Sequence, residues 1–343
     1  MKKNYFFGVL FRFSILTLLF GGIVGLLITI ERFPPDISEY TLSSFDWKSD
    51  FIINSTNYNI VLDCHSHNVE LSLEENILWH ISHGFNATFM TDHNTIGNLK
   101  LLDKLADKYK DRFIVLPGEE WTTDRVHLLL LGIREFVPVP SNQPTNEEII
   151  TAINKTHSLG GLVAVTHIPW STAGENPRMP NHPSRAELLE WGVDYIEMVN
   201  ENIYDIESEN WCNDTNGFGV LTGTDMHSPM NVYGWTLVNS SSFTRESLME
   251  QLVARNTWII FDENGSQDKS VQIPTTGYTL LHPLISAGSY FLVYTQDSVK
   301  FNWINFSIIY STMNASFIII EIIIFVMINK QQKKIIVEDK NDN

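Results

Sequence analysis

The chain has 343 residues, enough for one large domain or two ordinary ones with an ample core. Its formal net charge is -17 and its pI is about 5.0, so binding of nucleic acid through a basic surface is not expected. Only two cysteines occur, Cys64 and Cys212, which excludes a disulfide framework and a Cys-x-x-Cys metal site.

The first predicted element is an apolar helix near the N-terminus. Residues 13–30 carry no charge and follow Lys2, Lys3 and Arg12, and this length is sufficient for a membrane span. A cleaved signal peptide is the alternative. The apolar run is longer than the apolar region of a usual signal peptide, and no Ala-x-Ala site follows it. We therefore expect a membrane anchor.

After a polar linker that starts at Pro34-Pro35, short apolar runs alternate with amphipathic stretches. The predicted strands are 58–64, 86–91, 113–117, 126–132, 162–166, 194–199 and 218–222. The predicted helices are 73–83, 97–109, 146–159, 184–191 and 245–254. Alternating strands and helices predict an α/β fold with a parallel sheet, either open or closed as a barrel.

A second apolar segment, 303–328, is followed by basic residues that begin at Lys330. It predicts a second span, although a buried C-terminal helix is the alternative. Glu321 lies inside this segment, and a carboxylate in a membrane is costly unless it has a partner. The predicted organisation is therefore anchor, linker, central domain, linker, span and tail, at 1–34, 35–57, 58–262, 263–302, 303–328 and 329–343.

Basic residues flank the outer ends of both predicted spans, which predicts that both termini are cytoplasmic and that the central domain is extracellular or lumenal. Acceptor motifs for N-glycosylation agree with that placement and predict a glycoprotein. They begin at Asn54, Asn86, Asn154, Asn213, Asn239, Asn264, Asn305 and Asn314. We expect Asn86 and Asn314 to lie in a strand and a span, where no glycan fits.

Ligand-type side chains lie in or directly after the predicted strands. His65 and His67 face the same side of the first strand because alternate residues of a strand share a face, whereas Cys64 faces away. The others are His93, Glu120, His127, His167, Asp225 and His227. In a β/α barrel the carboxyl ends of the strands converge on one mouth. Mixed nitrogen and oxygen ligands of this kind suit Zn, Mn or Fe.

These motifs resemble those of the PHP family, named for its polymerase and histidinol phosphatase members. The similar segments are His65-Ser66-His67, Thr91–Asn94, Pro117–Glu120, Val126–Leu129, Thr166–Pro169 and Asp225-Met226-His227. The stretch from Glu246 to Ile260 is similar to the closing helix and strand of the family. The resemblance covers residues 58–262.

The resemblance implies a distorted seven-stranded β/α barrel, flanked here by N- and C-terminal transmembrane helices, that holds two or three divalent metal ions and hydrolyses phosphate esters. Its implied ligand groups are His65, His67, Glu120 and Asp225; Glu120, His127 and His167; and His93 with His227. Glu120 is then the bridging carboxylate, and the expected catalytic residues are Glu120, Asp225 and His167. The family's acidic or histidine turn after His-x-His is shortened here, so Glu70 is the expected replacement.

Other polar residues have weaker functional indications. We expect His80, His83 and His157 to be structural or surface residues, and Glu119 to face away from the site. Residues expected to orient the ligands are Asp92, Glu197 and Asn200. A Pro-rich loop near the expected approach of a substrate phosphate carries Arg178, His182 and Arg185, for which solvent exposure is the simpler interpretation.

The sequence thus predicts a membrane-anchored, metal-dependent phosphoesterase in which two ions activate water. Its expected partners are a small phosphate ester or a membrane-surface phosphate, and the lipid bilayer. One alternative is an amidohydrolase, which the absence of a lysine from the middle strands disfavours. The other is a catalytically silent, metal-stabilised scaffold, which the shortened turn after His67 favours and the remaining ligand-type residues disfavour.

Overall fold

The computed structural model describes residues 2–32, 58–215, 217–266, 278–295 and 298–341. The predicted linker 35–57 and the acceptor site at Asn54 lie outside these ranges. The chain divides into two compact units, Pro35–Pro274 and Met1–Pro34 together with Thr275–Asn343.

The larger unit is built on one ten-stranded sheet. Its strands are β1 Ile60–Asp63, β2 Ala87–Met90, β3 Ile114–Thr122, β4 His127–Leu131, β5 Leu162–Val165, β6 Tyr195–Asn200, β7 Ile203–Tyr204, β8 Gly219–Gly223, β9 Gly234–Val238 and β10 Thr257–Phe261. Nine strands follow the order β10-β9-β1-β2-β3-β4-β5-β6-β7, and β8 pairs with β6. The Cys64 amide donates to the Thr222 carbonyl (3.2 Å), so the sheet is nearly closed and barrel-like.

The helices of this unit follow the strands at short intervals. They are α2 Leu73–Ser82, α3 Leu99–Tyr109, α4 Asn146–Ser158, α5 Ile168–Thr172, α6 Arg185–Glu190, α7 Ile206–Thr215 and α8 Arg245–Val253. Three of them begin with a capping box, in which a hydroxyl accepts from the third helical amide and a glutamate accepts from the cap amide. The pairs are Ser72 with Glu75, Thr145 with Glu148 and Ser184 with Glu187.

Alternate residues of the strands supply two apolar clusters. In β4, Leu128 and Leu130 join the cluster that packs against α4, whereas Leu129 and Leu131 join the cluster that contains Ile60 and Leu62 of β1. Cys64 is fully buried in the second cluster, as expected from its position opposite His65. Both faces of the sheet are therefore covered, which explains why its strands are almost continuous apolar runs.

The all-parallel arrangement expected from the sequence is wrong for β4. This strand is antiparallel to both β3 and β5. Only residues 123–126 join β3 to β4, and a parallel crossover needs a dozen or so residues. Strands β7, β9 and β10 were not among the predicted strands, so the sheet has ten strands rather than seven. The hairpin pairs Thr122 with His127, so His127 begins its strand at the edge where β3 ends.

The smaller unit contains two long apolar helices, α1 Lys2–Arg32 and α10 Trp303–Asn341, with α9 Tyr278–Ser289 and the hairpin β11 Leu292–Thr295 and β12 Ser298–Phe301 between them. The segments Tyr5–Arg32 and Trp303–Lys333 are long and apolar enough to cross a membrane, and only 6% of the most apolar stretch of each is buried. The C-terminal helix is therefore not a core helix of the described chain.

Ring contacts show that α1 and α10 run antiparallel. Tyr5 contacts Phe325 and Phe20 contacts Phe306, with ring centroids 5.4 Å apart in each pair. Glu321 has a partner, Arg12, whose Nε and Nη2 donate to the two carboxylate oxygens at 2.6 and 2.7 Å. This bidentate ion pair neutralises the one carboxylate within the second apolar segment.

Candidate metal centre

Four side chains converge where β1, β3 and β8 end. The Nε2 atom of His65 lies 3.4 Å from Oε2 of Glu120 and 3.3 Å from Oδ1 of Asp225. The Nε2 atom of His67 lies 3.4 Å and 3.1 Å from the same two oxygens. The side chains of His65, His67 and Glu120 are fully buried. These four residues could together hold one metal ion, and they are the first group that the PHP resemblance implies.

The spacing of these atoms fits a shared cation. Four ligands about 2.1 Å from one ion in a tetrahedron are separated from each other by about 3.4 Å. The described nitrogen-to-oxygen distances are 3.1–3.4 Å. Nε2 of His65 is buried and has no hydrogen-bond partner in the described structure, whereas Oε2 of Glu120 lies 2.7 Å from Nδ1 of His93. Because an unpaired buried polar atom is costly, a metal ion would satisfy Nε2 of His65.

Glu120, His127 and His167 form a second group. The other oxygen of Glu120, Oε1, lies 2.7 Å from Nδ1 of His127 and 3.4 Å from Nε2 of His167. One oxygen of Glu120 therefore belongs to each group. This is the geometry of a carboxylate that bridges two ions, which is the role that the PHP resemblance implies for Glu120.

The third group consists of His67, His93 and His227. Nε2 of His93 lies 3.0 Å from Nε2 of His227, and Nδ1 of His227 donates to the Asp225 carbonyl at 2.8 Å. Both rings are partly exposed, by 41% and 44% of the side chain. Glu70 is exposed and lies outside all three groups, although its amide donates to the His227 carbonyl at 3.3 Å.

Strong mutual electrostatic interactions hold the first two groups. Burial raises the pKa of Glu120, but the positive charge of His65 and the contacts with His127 and His167 outweigh it and lower the pKa well below its usual range. Burial lowers the pKa of His65, and the carboxylates of Asp225, Glu197 and Glu120 reverse this to raise it well above its usual range. A divalent cation would replace the proton in stabilising these carboxylates.

Glu197 on β6 orients two of the ligands. Its Oε1 lies 2.9 Å from Nδ1 of His65, which leaves Nε2 of His65 for the metal site. Its Oε2 accepts from the His167 amide at 2.9 Å and from Nδ2 of Asn200 at 3.1 Å. The predicted orienting role of Glu197 and Asn200 agrees with these contacts.

Asp63 is a residue of the site that the sequence motifs did not indicate. It accepts from the amides of His65 and Thr224 at 3.1 and 3.0 Å and from the Thr224 hydroxyl at 2.6 Å. Its Oδ2 also lies 2.8 Å from Nε2 of His80. Asp63 thus ties β1 to the loop that carries Asp225. The strand alternation could have identified it, because Asp63 shares a face with His65 and His67.

The backbone around the site contains unusual conformations. His167 and Asp225 have φ values of 29° and 53°, in the left-handed region that non-glycine residues seldom adopt. Such residues cost free energy and persist where the surroundings hold them. At Gly223 a Cβ atom would lie 1.9 Å from Oε1 of Glu197, so only glycine allows β8 to approach this carboxylate.

The remaining candidates lie around these groups. Glu119 is buried on the opposite face of β3, where its Oε2 accepts from the Val137 amide at 3.0 Å. Asp92 accepts from the Asn68 amide at 2.7 Å. Four further candidates form contacts away from the candidate ligands. His83 contacts the Trp79 carbonyl, His157 contacts Asp194, His182 contacts the Pro183 carbonyl, and Arg185 contacts Asp205 and Ser208.

Arg178 is exposed, as expected, and its guanidinium group packs against an aromatic ring. Its guanidinium carbon lies 4.5 Å from the centre of the Trp170 ring. The Trp170 ring lies 4.9 Å from the His167 ring and 5.8 Å from the His127 ring. A cation–π contact therefore places Arg178 next to a ring that touches the second ligand group.

No model of a known protein family and no curated protein matches the chain. Among solved structures, similarity is found to a two-domain protein from Bacteroides vulgatus that contains a predicted PHP-like metal-dependent phosphoesterase, at 19% identity and a TM-score of 0.48. That match covers 60% of this chain and 65% of the other. The chain therefore spans less than two thirds of that protein.

Two further structures are also similar. A candidate metal-dependent phosphoesterase from Bifidobacterium adolescentis is 13% identical over 57% of this chain and 96% of its own, with a TM-score of 0.40. An amidohydrolase from Chromobacterium violaceum, with bound sulfate and no metal, is 15% identical over 58% of this chain and 97% of its own, with a TM-score of 0.39. One structure named as PHP-like and a second named as a metal-dependent phosphoesterase are thus among the matches, at low identity.

Proposed function

We propose that this chain is a membrane-anchored, metal-dependent hydrolase of phosphate esters. The proposal rests on the position of the Glu120 carboxylate between two groups of candidate ligands. Its Oε2 lies in the first group and its Oε1 lies in the second. Two divalent ions held here would activate water and neutralise the negative charge that develops on the phosphoryl oxygens.

Each protein residue then has a distinct part in the reaction. Glu120 holds the two ligand groups together and fixes the distance between them. Asp225 supplies the second carboxylate of the first group, and His167 supplies a ring nitrogen to the second. Glu197 keeps Nδ1 of His65 occupied, so that the other ring nitrogen faces the reaction centre.

Arg178 supports a phosphate ester as the substrate. The first two groups combine histidines with only two carboxylates, and a permanently charged guanidinium stands beside the second group on Trp170. A guanidinium binds phosphoryl oxygens through paired donors. It would attract an anionic ester, whereas a neutral amide substrate would gain little from it. The described strands β3 to β6 contain no lysine, as the sequence indicated, which disfavours the amidohydrolase alternative.

The two apolar helices support the anchoring part of the proposal. Their large apolar side chains are mostly exposed, and soluble proteins seldom expose a continuous apolar surface of this size. Their antiparallel contacts bring both ends of the chain to the same end of the helix pair. Protease treatment of sealed membranes tests the proposed orientation. Residues 35–300 should be protected, and digestion from the cytoplasmic side would place the hydrolase in the cytosol.

Metal analysis and a substrate screen test the function directly. The full chain, purified in detergent, should contain divalent metal and should hydrolyse phosphomonoesters or diesters. Removal of the metal with a chelator should abolish the activity, and a divalent ion should restore it. A protein without metal and without esterase activity would favour a silent scaffold. Hydrolysis of amides in preference to esters would favour an amidohydrolase.

A further inference from the structure

A cleft opens beside the metal centre, between the loop that follows β1 and the loop that follows β2. It offers about 270 Å³ of space to a ligand. Pockets for drug-sized molecules span roughly 300–1,000 Å³, so the cleft has room for a smaller organic group. Its apolar lining consists of Leu71, Leu73, Met90, Ile96, Leu101 and Leu102.

The cleft lining is adjacent in sequence to the metal centre. Asn68, which lines the cleft, directly follows His67, and Asp92, which also lines it, directly precedes His93. His67 and His93 are both candidate ligands of the third group. Neighbouring Cα atoms are 3.8 Å apart, so the backbone of the cleft lining comes within one residue of two candidate ligands.

The polar residues of the cleft are already engaged within the protein. Nδ2 of Asn68 donates to Oδ2 of Asp92 at 3.1 Å. Ser72 accepts from the Glu75 amide as the cap of α2, and Asn98 accepts from the Leu101 amide as the cap of α3. No lysine or arginine lines the cleft among the described residues. What the cleft offers to a ligand is therefore mainly apolar surface, next to one acidic side chain.

We propose that this cleft binds the organic group of the substrate, and that the substrate is a phosphate monoester of an apolar alcohol, such as an alkyl phosphate. The proposal rests on the proposed phosphoesterase function, because the metal centre must receive the phosphate while the cleft receives the chain. Asp92 and the absence of lining cations disfavour a substrate with a second phosphate in the cleft.

A series of alkyl phosphates tests the proposal. Methyl, butyl and hexyl phosphate are assayed with the metal-loaded full chain in one non-ionic detergent, below the concentrations at which the esters aggregate. Burial of each added methylene in the cleft should raise kcat/KM about fourfold. If kcat/KM does not depend on chain length while methyl phosphate is hydrolysed, the cleft assignment is overturned and the phosphoesterase function stands.

Leu101→Asp links the effect to the cleft. Leu101 is 37% exposed and occupies the first turn of α3, where an acidic residue favours the helix, so the variant should fold. In this variant the gain in kcat/KM from methyl to hexyl phosphate should be lost. Val253→Asp, at a 64% exposed position of α8 outside the cleft, is the matched control and should retain the gain.

Binding measurements keep the two proposals separable. If no ester is hydrolysed, the phosphoesterase function fails, and titration calorimetry with the same three alkyl phosphates still tests the cleft. An affinity that rises with chain length in the wild type and in Val253→Asp, but not in Leu101→Asp, supports the cleft. An affinity that does not change with chain length, or a gain that survives in Leu101→Asp, overturns it.

Discussion

The two faces of β3 carry neighbouring glutamates in opposite electrostatic states. Glu119 and Glu120 are both fully buried. Glu120 faces histidines from three other elements and its pKa lies well below the usual range, although burial alone would raise it. Glu119 faces the apolar core, where burial raises its pKa to about 7 and only the Val137 amide opposes the shift.

This difference shows that burial by itself does not define a metal ligand. Burial raises the pKa of both carboxyl groups, and the surroundings decide which of them stays ionised. Glu120 is held as an anion that requires positive charge around it, from protonated histidine or from metal ions. Glu119 is most stable when it is protonated and neutral. Substitutions on the two faces should therefore have different consequences.

Glu120→Ala should have the largest effect. Without the shared carboxylate, two cations would face each other with less negative charge between them, so both ions should be lost together. We expect kcat/KM to fall at least about a hundredfold, the scale on which a single charge-stabilising group acts. Metal content by mass spectrometry and the esterase rate should fall in parallel.

Glu119→Gln is the matched control for this substitution, because it changes a buried carboxyl group one residue away. It should keep both the metal and the activity. If Glu120→Ala retains full activity and Glu119→Gln loses it, the bridging carboxylate has been assigned to the wrong face of the strand.

Glu197→Gln should have the next largest effect. The amide keeps the shape of the side chain but loses its charge, and its NH2 group meets the donors of the His167 amide or Asn200. Loss of a carboxylate that orients a metal-binding histidine lowers metal affinity 10–100-fold as a rough range. Competition with a chelator measures this affinity.

Asp194→Asn provides the control for Glu197→Gln. It makes the same chemical change in a pair outside the three groups, where Asp194 lies 2.8 Å from Nε2 of His157. Its metal affinity should match that of the wild type. An equal loss of affinity in both variants would indicate a general effect on folding and would contradict the orienting role of Glu197.

Glu119→Gln should also change how stability depends on pH. The pKa of Glu119 is raised to about 7 in the folded state from a usual value of 4.5. Between these values the folded protein holds a proton that the unfolded chain has released, so stability falls as pH rises. A shift of this size corresponds to about 3 kcal/mol above pH 7.

The glutamine variant carries no titrating group at this position, so it should lack this loss of stability. Unfolding by urea at pH 5 and pH 8 should show that its advantage over the wild type grows with pH. An advantage that is equal at the two pH values would mean that Glu119 titrates normally and is not held neutral by burial.

The sequence indicated which side chains converge more readily than it indicated the sheet. The candidate ligands were identifiable because each lies next to an apolar strand in a recognisable motif. The structure brings all eight of them into groups that could hold metal ions. The antiparallel direction of β4 was missed because a buried strand has the same pattern of apolar residues in either direction. Asp63 was missed because it precedes the His-x-His motif and acts through hydrogen bonds rather than as a ligand.

The third group is where sequence and structure differ most, because the shortened turn after His67 indicated Glu70 and the structure supplies His67 itself. The group consists of three imidazoles, and two of its rings are more than two fifths exposed. An ion there should bind more weakly than the two that share Glu120.

Glu70→Gln and His227→Asn should therefore have the smallest effects and should separate the two assignments. His227→Asn should remove a third ion and lower the rate partially, because the ions that share Glu120 remain. Glu70→Gln should leave metal content and rate within about twofold of the wild type, because Glu70 is an exposed residue that does not bind a metal ion in this assignment. Loss of a third ion in Glu70→Gln alone would show that the carboxylate swings into the site when metal binds, and the assignment from the sequence would then be correct.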